Sequence, residues 1–177
     1  MDDALPQSLA DRPDVVVRAE SVFRQIAAER MVGLPMVNPA LSVAAVGFRR
    51  WQGLWAGVML TPWSLNLMLL PAGSAQFRSG ASGDIQQWVF PSGAYEFLYG
   101  EEPALGPYQM CSLFSPVFEF ASQADALATA QAVAEALFEH EAQAEAGRQT
   151  QGRGTMPQPL TERPLSRRGF LRGAFGG

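Results

Sequence analysis

The chain has 177 residues, 47% of them hydrophobic and 17% charged, which excludes a disordered body and fits one globular domain with tails. Its single cysteine, Cys111, excludes an internal disulfide, and alone it cannot build a rubredoxin-like or zinc-ribbon site; a reducing, cytoplasmic compartment is the expectation. The net charge of -4 divides into -9 over residues 1–147 and +5 over residues 148–177, where six of the 13 arginines lie against one acid, Glu162. Such a tail is drawn to its own acidic body or to a second copy, and its dispersed arginines make a poor nucleic-acid site.

Residues 1–13 are acidic and lack an apolar core, so they read as a flexible N-terminus and not as a signal peptide. A first helix is expected over Asp11–Met31. Pro13 suits its first turn, Asp11 or Asp14 suits the positive end of its dipole, and Gly33 can close it. Val15, Ala19, Val22, Phe23 and Ile26 recur at helical spacing.

Short apolar runs between turn signals follow, which is strand behaviour. Leu41–Arg49 and Leu54–Thr61 flank Arg50-Trp51-Gln52-Gly53, a hairpin candidate, and Ser64–Leu70 follows a break at Pro62. Ala72–Gly83 is rich in glycine and serine and reads as a loop. Ile85–Phe90, Ala94–Tyr99 and Tyr108–Phe114 continue as strands, and Tyr95, Phe97 and Tyr99 alternate cleanly with Ala94, Glu96 and Leu98. A second helix is expected over Ser122–Ala146. It opens on a capping-box-like Ser122…Asp125, carries a stripe of Leu127, Ala130, Val133, Ala134, Leu137 and Phe138, and ends at Gly147. The fold class expected is α+β: two layers, a mainly antiparallel sheet of about six strands, and both helices on one face. The globular domain would span 14–146, a flexible linker 147–165 and a tail 166–177. No apolar run approaches the ~18 residues of a spanning helix, so no stable membrane insertion is expected.

Catalysis has little to start from. A Cys111–His140 pair is the one conceivable nucleophile and base, yet His140 sits among glutamates at a helix end, and Glu101-Glu102 read as solvated loop acids. There is no phosphate loop, no GxGxxG and no cluster at metal-ligand spacing, so catalytic residues, metal and cofactor are all expected to be none. The aromatics say more. Trp51, Trp55, Trp63 and Trp88 fall in the strands with Phe48, Tyr95, Phe97, Tyr99, Tyr108 and Phe114. With helices on one sheet face only, part of this set would form an exposed apolar patch, the mark of a binding protein.

Two segments are more specific: Gly53–Leu65, "GLWAGVMLTPWSL", and Met110–Phe120, "MCSLFSPVFEF". Gly53, Trp55, Gly57, Thr61-Pro62-Trp63, Leu65, Pro91, Gly93, Cys111-Ser112-Leu113 and Ser115-Pro116 resemble the HybE/HupJ family of [NiFe]-hydrogenase accessory proteins. The resemblance covers roughly residues 18–121, and the Thr-Pro-Trp block is its most specific part. It implies a non-enzymatic chaperone that holds a hydrogenase subunit during maturation, notably the small subunit with its twin-arginine (Tat) signal peptide, with the large subunit as a second candidate partner. The client-binding residues expected are Trp51, Trp55, Thr61, Pro62, Trp63 and Cys111, with Trp63 as anchor and Trp55 or Trp51 nearby. A structural corner is the competing reading of Thr61-Pro62-Trp63. The rival functions are a general twin-arginine signal-binding module and a Cys111-dependent transferase or redox enzyme.

The chain ends on Ser166-Arg167-Arg168-Gly169-Phe170-Leu171-Arg172, which matches the motif opening Tat signals, but the apolar segment that should follow is absent. A protein that handles such signals has a groove for them, and this tail imitates one. It is expected to dock on its own domain, or on a second copy, as a pseudo-signal. The 19-residue linker spans about 24 Å at ~5–6 Å × √n, which reaches most of a body with a ~15 Å radius of gyration.

Overall fold

Gln52 and Gly53 both take positive φ, 48° and 73°, the pair of left-handed residues that joins twisted strands through a two-residue turn. They close a hairpin between β1 (Ala44–Trp51) and β2 (Leu54–Leu60). The computed structural model describes residues 12–139. After β2, four residues turn the chain into β3 (Leu65–Pro71), and an irregular loop, 72–84, leads to β4 (Ile85–Phe90). β5 (Gly93–Glu102) and β6 (Gly106–Phe114) follow through short turns. α1 (Asp14–Glu29) precedes the strands and α2 (Gln123–Ala136) follows them. The six strands form one antiparallel sheet in the order β1-β2-β3-β6-β5-β4. The α+β class and the strand content are those expected from the pattern, with strand ends shifted by a few residues.

The placement of the helices differs from expectation. Leu54, Ala56, Val58 and Leu60 pack with Ala130, Val133 and Ala134 of α2 on one sheet face. Met59 and Met68, pointing the opposite way, pack with Val16, Ala19, Val22 and Phe23 of α1 on the other. The helices therefore cover opposite faces. The reason lies in β2 and β3, which are buried on both sides and read as near-continuous apolar runs, broken only by the buried Asn66, the signature of a strand covered twice. Consequently most of the aromatics are inside, and the expected exposed aromatic patch does not form: Phe118 is the one aromatic among the exposed large hydrophobic residues described.

β1 carries a bulge. Val46 pairs with Val58 and Arg49 with Ala56, so Gly47 and Phe48 together stand opposite Gly57. Gly47 takes φ 62°, and a methyl group there would overlap the Ala134 side chain of α2. Phe48 lies over Gly57, where an added Cβ would meet its ring at 2.5 Å. The extra residue turns Trp51 toward the α2 face. There its ring stacks on Phe90 at 4.0 Å and meets Trp88 and Phe138 edge-on at 5.9 and 6.3 Å. β1 and β4 are opposite edges of the sheet, so these contacts mean that it curls until side chains of its two edges touch.

On the other face Glu20 anchors α1. It is buried, accepts the Ala45 N–H of β1 at 2.9 Å, and pairs with Arg12 at 2.6 Å and with Arg24. Burial alone would raise its pKa, but the hydrogen bonds from Arg12 and Ala45 and the two guanidinium charges outweigh it and hold the carboxyl below the ordinary carboxylate range. A carboxyl depressed in the folded state contributes stability above its unfolded pKa, ~4.3, and that contribution is lost as pH falls through the folded value. Glu20→Gln is therefore expected to lower stability at pH 7 by about 1–3 kcal/mol. The gap to the parent should shrink as pH drops below ~4.3. Urea titrations at several pH values measure this, and a gap independent of pH would contradict it.

Candidate functional site

The Thr61-Pro62-Trp63-Ser64 turn joins β2 to β3 and is closed from inside. Thr61 N–H donates to the Ser64 carbonyl at 2.8 Å, and Ser64 N–H donates to Thr61 Oγ1 at 3.0 Å. The Ser64 hydroxyl lies 3.1 Å from Thr61 Oγ1 and accepts the Asn66 amide at 2.8 Å, so this buried polar group is fully paired. Thr61 has no exposed surface and Pro62 is buried. The threonine and proline thus build the corner and present nothing to a partner. Trp63, half-buried at the margin of the α1 core, is the member of the block that reaches the surface.

A second residue organises this end of the molecule, and sequence reasoning missed it. Asn38 is buried, and its N–H donates to the Pro62 carbonyl at 2.7 Å. Its side-chain amide donates to the carbonyls of Val117 and Phe120 at 3.0 and 2.9 Å, while its Oδ1 accepts the Ala40 N–H at 3.0 Å. One asparagine therefore ties together the segment after α1, the Thr-Pro-Trp turn and the loop after β6. These same segments carry exposed apolar side chains: Val32 (72% exposed), Leu34, Met36 and Phe118 (54%). Glu119, exposed, stands beside Phe118 and makes no ion pair among the described residues. Apolar side chains on loops are costly to leave in water and usually mark an interface. The missed signal was the run Val32-Gly-Leu-Pro-Met36, apolar residues in a segment without strand or helix periodicity.

The other expected site residues do not gather here. Trp55 points to the α1 face with the Arg50 guanidinium 5.2 Å from its ring, but it stands at the far end of β2, about 17 Å along the strand from the turn. Trp51 is on the opposite sheet face, in the stack with Phe90. Cys111 is buried in the α2 core, paired in register with Leu67. It offers no reactive surface, which leaves the Cys111-dependent enzyme without a site. Among the described residues no group of three His, Cys, Asp or Glu could hold a metal ion, and no helix is long and apolar enough to cross a membrane.

The family described as [NiFe]-hydrogenase assembly, chaperone, HybE matches this chain over residues 14–173. The chain belongs to the HybE family. It is 40% identical over 153 residues to the hydrogenase expression/formation protein HupJ of Bradyrhizobium diazoefficiens, covering 86% of this chain and 84% of that one. It is 39% identical over 154 residues to the hydrogenase expression/formation protein HoxT of Azotobacter vinelandii, covering 86% and 92%. The solution structure of HybE from Escherichia coli shares the fold with a TM-score of 0.58 at 19% identity, over 88% of this chain and 93% of that one. HybE proteins are assembly chaperones and not enzymes, in line with a site made of apolar loops. His140, the linker 147–165, the expected helix beyond Glu139 and the motif Ser166, Arg167, Arg168, Phe170, Leu171 and Arg172 all lie outside the described residues.

Proposed function

We propose that this HybE-family chaperone holds the small subunit of an uptake [NiFe]-hydrogenase in the cytoplasm, through that subunit's Tat signal, before export. The observation that carries this reading is the set of exposed or half-exposed apolar side chains on the segments tied by Asn38, Val32, Leu34, Met36, Trp63 and Phe118, with Glu119, which makes no ion pair among the described residues, next to Phe118. A Tat signal is a pair of arginines followed by an apolar segment, so an acid beside exposed apolar side chains complements both parts. The chain's own Ser166–Arg172 carries the same arginines, followed by Gly173-Ala-Phe-Gly-Gly177. Tethered at an effective concentration on the order of millimolar, it would occupy the surface until a client displaced it. The client's extra apolar contact supplies the difference: at ~25 cal/mol per Å², about 160 Å² more is worth roughly 4 kcal/mol.

The test is the affinity of purified chaperone for the small-subunit precursor, with and without its signal. Trp63→Ala and the double variant Leu34→Ser/Met36→Ser are each expected to weaken precursor binding by about 2 kcal/mol or more, roughly thirtyfold. Binding should need the signal, and deleting Ser166–Gly177 should tighten it. Signal-independent binding of the mature subunit, or preference for the large subunit, would overturn the signal-holding reading. Weaker or unchanged affinity after the deletion would overturn self-occlusion alone.

A further inference from the structure

The edge strand β4 presents an unused row of backbone groups beside a groove. Tyr99 N–H donates to the Asp84 carbonyl at 2.8 Å, and the two-residue alternation of an antiparallel ladder continues from there. Gln86, Trp88 and Phe90 thereby turn their N–H and C=O groups toward β5, while Ile85, Gln87 and Val89 turn theirs outward. No partner for these outward groups occurs among the described residues. Edge strands are normally blunted by charge or proline, but β4 is Ile-Gln-Gln-Trp-Val-Phe and has neither. Its solvent side carries apolar side chains on either flank of a polar pair: Ile85 is 63% and Val89 69% exposed, Leu98 of β5, directly opposite Ile85, is 49% exposed, and exposed Gln87 and Glu96 face each other between them.

The inner side of the same edge is polar. A groove of about 560 Å³ runs along Gln86–Val89 and is walled by Gln52 and by Ala75, Gln76 and Arg78 of the 72–84 loop. That volume is within the ~300–1,000 Å³ of sites that enclose small ligands. Arg78 is exposed and makes no ion pair among the described residues, and no acid lines the groove.

We infer that β4 accepts an extended peptide segment of a partner protein as a seventh strand, apolar at alternate positions and acidic or hydroxylated at the others. Strand addition uses the outward N–H and C=O groups for affinity, and alternate side chains for selection. In the antiparallel or the parallel sense, one set of side chains would extend the face that carries Ile85, Val89 and Leu98, and the other would enter the groove beside Arg78, Gln52, Gln76 and Gln86. A single strand suits this edge better than a second sheet, because the loop at 75–78 and Gln52 stand beside it. The arginine in the groove also sets this site apart from the one proposed for a twin-arginine signal, and neither reading depends on the other.

The test uses the whole chain and the hexapeptide Ac-Val-Glu-Val-Thr-Val-Glu-amide, titrated into the millimolar range with amide hydrogen exchange read residue by residue. Exchange is expected to slow at Ile85, Gln87 and Val89, with little change at Gln86, Trp88 and Phe90, which are already bonded. Gln87→Pro removes an outward donor without touching the β4–β5 ladder, and it should weaken peptide binding at least about tenfold with the fold retained. Val89→Lys, changing only an exposed side chain, should do the same by removing the apolar contact that Val89 offers and putting a charge in its place. A peptide with Arg in place of Glu should bind at least about fivefold more weakly. Failure to protect the outward amides, or full binding by both variants, would overturn the proposal. So would protection of those amides that rises with protein concentration without peptide, since the edge would then belong to a second copy. Equal binding of the Arg peptide would overturn the chemistry assigned to the groove.

Discussion

Gly47→Ala is expected to lower folding stability by about 3 kcal/mol. Two costs fall on one methyl group. At φ 62° an L-residue meets its own carbonyl, roughly 1–2 kcal/mol. The added carbon would also overlap Ala134, which belongs to the buried face of α2 and has no free rotamer to yield; overpacking of this kind costs ~1–3 kcal/mol. Relief would require α2 to lift from β1 and β2, opening the core around Val58 and Val133. In a domain of this size the loss corresponds to a fall in Tm of about 10 °C or more. Thermal unfolding checks it, and a Tm within about 2 °C of the parent would show that the helix does not sit so close to the bulge.

Gln109→Ala should be nearly as damaging, for a different reason. Gln109 is buried, accepts the Trp88 indole N–H at 2.7 Å, and donates to Gln86 Oε1 at 2.8 Å and to the Arg78 carbonyl at 3.2 Å. Gln86 passes the connection on, donating to the Gln76 carbonyl at 2.7 Å and accepting the Arg78 N–H at 3.0 Å. Two amide side chains thus hold the 72–84 loop across the inner face of the sheet. Truncation strands the indole N–H of a buried tryptophan and leaves a cavity, at about 2–4 kcal/mol together. Amide exchange at Gln76–Arg78 should accelerate and Trp88 emission should shift to longer wavelength. Unchanged exchange there would mean that the loop is held by Phe77 packing instead.

The regular parts of this fold were written plainly in the chain. Tyr95, Phe97 and Tyr99 alternate as a strand with one buried face, and the structure buries those three and exposes Ala94, Glu96 and Leu98. Ser122 caps α2 as its spacing with Asp125 implies, accepting the Asp125 N–H at 3.2 Å. The side of the sheet each helix takes was not legible from period alone, because β2 and β3 show no polar alternation: β2 is apolar throughout, and β3 has the single polar residue Asn66. Neither was the inward turn of Trp51. It depends on the one-residue slip at Gly47, and a glycine in a strand reads equally as a bulge, a bend or a close approach. The Thr61-Pro62-Trp63 block was found by resemblance, yet its partner Asn38 was passed over. A lone asparagine in a loop has no periodicity, and its bonds reach carbonyls 79 and 82 residues away.

The strand order has a kinetic consequence. β1, β2 and β3 form one up-and-down arm, β4, β5 and β6 form another, and the two arms are hydrogen-bonded to each other along the single line between β3 and β6. Within each arm the pairings are local and can nucleate quickly. The join, with Leu67 against Cys111, requires closure of a much longer loop, whose entropy must be lost before the contacts return it. The expected rate-limiting step of folding is the docking of two preformed sheets, so substitutions along that line should act on the refolding rate more than substitutions within either arm, which stopped-flow refolding measures. The same division makes the 72–84 loop the natural place to sever the chain, since a cut there leaves every strand with its sequential neighbours, and the halves would rejoin along the β3–β6 ladder and through α2 packed on β1 and β2.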